Sequence, residues 1–290
     1  MQIIHTVAEL RARLKSEPNI AFVPTMGNLH AGHMHLVKIA GQHASCVVVS
    51  IFVNPLQFGP SEDLANYPRT LDADCEKLQA AGASIVFAPT VNEMYPDFNA
   101  ATNCLGQTMM ISAPPIAGEL CGASRPGHFD GVATVVMKLF NIVMPQFAVF
   151  GKKDFQQLFI IRELLRQFNL PIQILAGETM REPSGLAMSS RNGYLSIAQK
   201  SAAAALNQTL KHIVQQAQQS DANFNTLEQT ASQSLNNSGW QVDYISIRSA
   251  ATLLPASAKD QQLVVLAAAK IGNTRLIDNI EFPASLNSPR

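Results

Sequence analysis

Through the first half of the chain, short runs of β-branched and aliphatic residues alternate with longer stretches in which apolar positions are spaced more widely. Ile20 to Val23, Cys46 to Val53, Ile85 to Ala88 and Phe147 to Phe150 read as buried strands, with Ile172 to Leu175 as a fifth. Between them, Met34 to His43, Thr70 to Ala81, Gly131 to Val143 and Phe155 to Phe168 show the apolar spacing of packed helices. Strand and helix in alternation predict an α/β unit built around a parallel sheet. The irregular segment from Asn54 to Tyr67 is longer than a connector needs, and such loops cover or line sites.

After Gly177 the pattern changes. A polar segment runs through Tyr194 into an Ala- and Gln-rich stretch, Ile197 to Gln219, that predicts a helix. A second helix is expected around Phe224 to Leu235. Gln241 to Ile247, Leu263 to Ala268 and Thr274 to Ile280 read as strands of a smaller α+β unit. These patterns divide the chain into residues 1–177 and 178–290, with Ala284 to Arg290 expected to fray.

The chain has 290 residues, which at roughly 150 per domain agrees with two domains. Lys plus Arg total 21 and Asp plus Glu total 21, so no basic footprint for nucleic acid is present. Apolar residues make up 47% and charged ones 14%, a balance that excludes intrinsic disorder. No apolar run approaches the ~20 residues of a membrane span. The opening Met1-Gln2-Ile3-Ile4-His5 lacks the features of a cleaved signal, so a cytoplasmic location is expected. Cys46, Cys75, Cys104 and Cys121 are unpaired in spacing and read as buried free thiols.

Candidate chemistry sits where strands give way to helices. Pro24-Thr25-Met26-Gly27-Asn28-Leu29-His30-Ala31-Gly32-His33 follows one strand and opens a helix. Free amides at a helix N-terminus attract anions, and ligands of doubly wound sheets lie at the carboxyl ends of the strands. Gly27 and Gly32 would let backbone approach a nucleotide, and His30 and His33 would share one face of the first turn. A zinc site of His30, His33 and His35 fails because His35 is turned about 200° from His33 on a helix; no metal ligands are assigned. The second junction is Phe150-Gly151-Lys152-Lys153-Asp154-Phe155-Gln156-Gln157. Lys153 would reach phosphate, Lys152 reads as a solvated charge, and Asp154 would cap the helix or hold a ribose hydroxyl. A third, Met188-Ser189-Ser190-Arg191-Asn192-Gly193, offers hydroxyls and a guanidinium to a polyphosphate.

The His-x-Gly-His turn, the later strand-end lysine and the Ser-Ser-Arg loop together resemble the nucleotidyl-transferring superfamily related to class I aminoacyl-tRNA synthetases. Within it, six segments narrow the resemblance to the pantothenate synthetase family. They are Pro24 to His30, Phe52 to Phe58, Tyr67 to Thr70, Arg125 to Phe129, Lys138 to Asn141 and Met188 to Asn192. The likeness runs from about residue 20 to residue 195, and resumes at Ile271 to Asn279.

The resemblance implies a Rossmann-like N-terminal domain and a smaller C-terminal lid. It implies a ligase that condenses pantoate with β-alanine at the cost of ATP, through a pantoyl adenylate, releasing AMP and pyrophosphate. It assigns ATP to the turn Met26, Gly27, Asn28, Leu29, His30, Ala31, Gly32 and His33, to Gly151, Lys152, Lys153 and Asp154, and to Met180, Met188, Ser189, Ser190 and Arg191. His33 is then the acid, and His30, Lys153 and Arg191 join it at the phosphates. Gln57 and Gln157 would hold pantoate amid apolar walls such as Met26 and Phe58. Magnesium would be held chiefly by phosphate oxygens and water, with Asp72 and Asp74 as helpers or, more simply, as carboxylates on a helix surface. A homodimer is the family's habit. Lys152, Gln146 and Met180 stand where the family more often has Glu, Asp and Val. Transfer of AMP or CMP to a phosphate-bearing acceptor, and nucleotide binding without turnover, are the competing readings; the first would favour cations at Gln57 and Gln157.

Overall fold

The computed structural model describes residues 1–59, 62, 64–102, 104–219, 222–257 and 259–284. Pro60, Ser61 and Asp63 of the long loop, and residues 285–290 of the tail expected to fray, lie outside that range. Strands β1 Gln2–Ile4, β2 Ile20–Thr25, β3 Cys46–Ile51, β4 Ile85–Phe87, β5 Phe147–Gly151 and β6 Gln173–Gly177 form one sheet in the order β1-β4-β3-β2-β5-β6. Every pairing in it is parallel. The buried β-branched runs became β2 to β6, as their two-sided apolar character requires. β1 escaped the sequence reading because three residues at a sheet edge, two of them exposed, leave no pattern.

Helices α1 Val7–Leu14, α2 Ala31–His43, α3 Leu71–Ala80, α4 Val91–Met94, α5 His128–Val143 and α6 Phe155–Gln167 accompany the sheet. They build two apolar layers against it. Phe22, Val48, Ile85 and Phe87 meet Leu139, Phe140 and Ile161 on one side; Ala21, Val23, Val47 and Val49 meet Val37, Ala40 and Leu78 on the other. α1 was missed because only Leu10 and Leu14 of its eight residues are buried.

The remaining chain forms α7 Ile197–Ala217, α8 Phe224–Asn237 and the antiparallel sheet β7 Trp240–Ser249, β8 Gln262–Ile271, β9 Thr274–Pro283. These elements share an apolar cluster of their own around Leu206, Leu210, Trp240, Val265 and Ala267. A smaller cluster joins Ile116, Leu120 and Phe155 to Leu253, Val264 and Leu266. The architecture is therefore Rossmann-like α/β followed by a smaller α+β unit. The expectation of four buried thiols holds for Cys46 and Cys75; Cys104 is exposed and Cys121 is half-buried. No helix among the described residues is long and apolar enough to cross a membrane.

α5 presses unusually close to the turn at Pro55–Gln57. A Cβ at Gly131 would overlap Leu56 O and stand 2.8 Å from Gln57 N, inside any permitted contact with backbone. Gly131→Ala is expected to destabilise the fold by about 1–3 kcal/mol, the range for overpacking. Denaturant unfolding checks it, and an unchanged midpoint would refute the close approach.

Candidate active site

β2 and β5 are neighbours, yet the chain leaves β2 towards β3 and β4 on one side and leaves β5 towards β6 on the other. Their carboxyl ends therefore open a crevice at the switch point of the sheet. Both strand-end motifs line it, the first leading into α2 and the second into α6.

The turn after β2 is shaped from outside. Gly27 (φ +85) and Asn28 (φ 52) take left-handed backbone. Asp74, fully buried, accepts from Asn28 N at 2.7 Å and Leu29 N at 2.8 Å, and Thr70 Oγ1 donates to it at 3.0 Å. Lys77 Nζ adds a bond to Leu29 O at 2.9 Å. The sequence reading of Asp74 as a surface carboxylate or a metal helper is thus corrected: its oxygens are occupied by the turn. Only its place in the first turn of a helix was visible beforehand, and that does not reveal the partner.

His30 is the N-cap of α2. Gly32 N donates to His30 Nδ1 at 3.1 Å, and His30 N donates to His33 Nδ1 at 3.2 Å, a capping box made of two imidazoles whose rings lie 4.1 Å apart. Because each Nδ1 accepts, the neutral rings carry hydrogen on Nε2; this tautomer follows from the bonding pattern. A Cβ on Gly32 would come within 2.8 Å of the His30 ring, so the cap requires glycine there. Burial, reinforced by Lys153, lowers His30 to about 4. Burial, then His30 and Lys153, lowers His33 to about 3. The crevice thus presents neutral N–H donors.

At the second junction, Lys153 Nζ lies 3.2 Å from Asp154 Oδ2 and lines the crevice. Asp154 makes no side-chain cap bond, contrary to one of its two expected uses. Lys152 is not a solvated charge. Its Nζ sits 2.6 Å from both Glu178 and Glu281, bridging the parallel sheet's edge to β9. From the third segment, Ser190 Oγ donates to Asn28 O at 3.0 Å, which ties it to the first turn across 162 residues.

The crevice has a volume of about 240 Å³. Of the expected residues, Met26, His30, Gly32, His33, Gln57 and Gln157 line it. So do Gly151, Lys153, Asp154, Met180 and the run Met188 to Arg191. Gly27, Asn28, Leu29 and Ala31 supply the backbone of the turn, and Lys152 stands behind. One wall is apolar, from Phe52, Tyr67, Val132, Val135, Val136 and Leu139. Phe58 packs edge-on against Tyr67.

Gln57 is held by a chain of buried amides. Tyr95 Oη donates to Asn54 Oδ1 at 2.6 Å, and Asn54 Nδ2 donates to Gln57 Oε1 at 3.1 Å and to Gly131 O at 3.2 Å. That leaves Gln57 Nε2 on the cavity side, 3.1 Å from Met26 Sδ. From behind, His128 Nδ1 donates to Gln57 O at 2.8 Å, while Arg125 donates to His128 Nε2 and forks onto Glu62. Sequence reasoning found Gln57 but not the chain fixing its amide, since Tyr95 lies 41 residues from Asn54. A second cavity of about 480 Å³ adjoins the first, sharing Lys153, Asp154, Gln157, Ser189 and Arg191 and reaching Arg275 and Asp278.

The family model described as pantoate-beta-alanine ligase matches residues 2–281. A pantothenate synthetase of Methylobacillus flagellatus is 68% identical over 97% of this chain and 99% of its own. A pantothenate synthetase structure from Thermus thermophilus superimposes with TM-score 0.89 at 42% identity, covering 97% and 99% of the two chains. A pantoate-beta-alanine ligase from Francisella tularensis, solved with beta-gamma ATP and beta-alanine, gives TM-score 0.78 at 33% identity over 97% of each chain.

The two lowered imidazoles fix the sign of a pH effect. The folded protein holds His30 and His33 below the ordinary value of about 6.5, so near pH 5 the unfolded chain binds more protons. Their contribution to stability is complete above about pH 6.5 and is lost as pH falls towards 3–4. Thermal midpoints are expected to drop over that window, and His33→Asn, whose Oδ1 keeps the cap bond, to flatten the drop. Equal slopes for wild type and variant would contradict this assignment.

Proposed function

The chain belongs to the pantoate-beta-alanine ligase family, enzymes that join pantoate to β-alanine, and from that premise we propose how the crevice performs the reaction. ATP binds across the turn after β2 and the start of α6. A pantoate carboxylate oxygen attacks the α-phosphorus and pyrophosphate leaves. The free amine of β-alanine then attacks the acyl carbon of the pantoyl adenylate, the C–O bond to AMP breaks, and the nitrogen releases a proton as the amide forms. The observation that carries this reading is the convergence of Lys153, the two imidazole Nε2–H groups and Ser189 to Arg191 on one cavity beside Gln57 and Gln157. Preorganised donors of this kind stabilise charge as it develops on phosphate. Neutral amide tips on an apolar wall suit a substrate with two hydroxyls beside a gem-dimethyl group.

His33 acts as acid from Nε2. Triphosphate opposes the burial and the neighbouring cation that keep the ring neutral in the open crevice, so anion binding favours its protonated form, whose Nδ1–H gives up the bond from His30 N. Mg²⁺ belongs to this reading and would enter on the triphosphate. Asp154 is the carboxylate beside Lys153 that would meet it, and among the described residues no group of three or more His, Cys, Asp or Glu gathers to hold a metal. When bound, the ion neutralises phosphate charge.

Residues 1–177 would form the ATP- and pantoate-binding domain and residues 178–290 a lid that carries Ser189 to Arg191 over the nucleotide. Support comes from the separate apolar cluster of the second unit. Homodimer formation, which rests on the family resemblance, and a cytoplasmic setting complete the reading.

Purified enzyme given ATP, Mg²⁺ and pantoate is expected to exchange labelled pyrophosphate into ATP before any amine is added. Lys153→Ala should slow that exchange by about 10²-fold or more while unfolding normally, as loss of one preorganised donor does. Folded wild type without exchange would dismiss the adenylate, and a Lys153 variant as fast as wild type would dismiss the lysine.

A further inference from the structure

The segment Ile271 to Asn279 carries part of the family resemblance, yet none of its residues has a part in the chemistry above. Two neighbours at its end occupy an informative position. Asn279, 7% exposed on β9, directs both hydrogens of Nδ2 to the strand-end lysines, reaching Lys152 O and Lys153 O at 2.9 Å each. Asp278, 4% exposed, accepts Asn279 N at 2.8 Å and takes a two-pronged bond from Arg181, with Nη1 at 2.7 Å and Nη2 at 2.9 Å. Asn207 of α7 donates to the same carboxylate at 3.0 Å.

Arg181 opens the segment that ends in Ser189 to Arg191. Its Nη1 also donates to Gly185 O, Arg181 pairs with Ala187 in an isolated antiparallel bridge, and Met188 N donates to Met180 O. Adjacent residues of one strand therefore grip the backbone of the lysine junction and the root of the serine–arginine loop. A lysine ammonium rides on four rotatable bonds, so its reach is set by where its backbone is held.

We propose that Asn279 is a positioning residue for Lys153, fixing the lysine backbone against the loop that Asp278 anchors so that both sets of donors meet the same phosphates; this rests on the assignment of Lys153 to ATP. Acting through Lys153, Asn279 loses its effect when that ammonium is gone.

A double-mutant cycle in the pyrophosphate-exchange assay tests it. Asn279→Ala is expected to lower the exchange rate constant about tenfold, with the KM for pantoate within twofold of wild type. In a Lys153→Ala background, whose residual exchange stays measurable, the same substitution should cost less than twofold more. An equal further loss in both backgrounds would show a merely structural role and overturn the proposal, as would an Asn279→Ala enzyme within twofold of wild type. If the alanine variant does not fold, Asn279→Ser, which keeps one donor, carries the same cycle with the same criteria. Wild type without exchange would instead remove the adenylate reading beneath it.

Discussion

Two neighbouring parallel strands whose chains depart in opposite directions must leave their ends uncovered, and the crevice exists because β2 and β5 are such a pair. That topology puts two helix N-termini side by side but leaves both connecting turns without the ladder bonds that hold a strand. Each turn is secured from another part of the molecule instead. Asp74 on α3 occupies the amides of Asn28 and Leu29, and Asn279 on β9 occupies the carbonyls of Lys152 and Lys153. One clasp supplies a carboxylate to N–H donors and the other an amide to C=O acceptors, so each matches the polarity of the backbone it holds.

A chain with no net charge still binds a polyanion if its cations are sorted. Lys152 faces Glu178 and Glu281, Arg125 faces Glu62, Arg181 faces Asp278 and Arg275 faces Asp243. These pairs neutralise one another while fixing loops and joining the two sheets. Lys153 pairs with its chain neighbour Asp154, and it stands where the crevice is lined by imidazole N–H and hydroxyl groups. Local potential, not the overall sum, decides where triphosphate lands. The neutral state of His30 and His33 has a related cause: burial, reinforced by Lys153, opposes a second and third cation in the crevice.

Much of this was legible in the sequence, for reasons that differ by element. β2, β3 and β5 are buried on both faces, so their apolar runs are continuous and unmistakable. β1 and α1 bury too little to leave a period. α2 begins three residues before the spaced pattern at Met34 because a histidine, an unusual cap, starts it. Within the crevice, residues that project from strand-end motifs were found from those motifs. Their supports were not: Asp74, Tyr95 and Asn279 act over separations of 41 residues or more, and a buried carboxylate on a helix reads from sequence like any other. Lys152 was read as solvated because its partners, Glu178 and Glu281, come from beyond the parallel strands.

The amide chain behind Gln57 shows why such supports matter to the chemistry. A glutamine amide turns freely between two orientations that differ only in exchanging donor for acceptor, and a substrate hydroxyl or carboxylate distinguishes them. Tyr95 Oη donates to Asn54 Oδ1, which turns Asn54 Nδ2 towards Gln57 Oε1 and so leaves Gln57 Nε2 to the cavity. The Tyr95 phenol is pushed well above its ordinary range by burial, so it stays a donor at neutral pH. His128, lowered to about 4 by burial and then by Arg125, stays neutral in the same way and fixes the Gln57 backbone from its Nδ1. Two groups held neutral, the Tyr95 phenol and the His128 imidazole, thus fix the Gln57 amide and backbone in one sense, with the charged Arg125–Glu62 pair behind them.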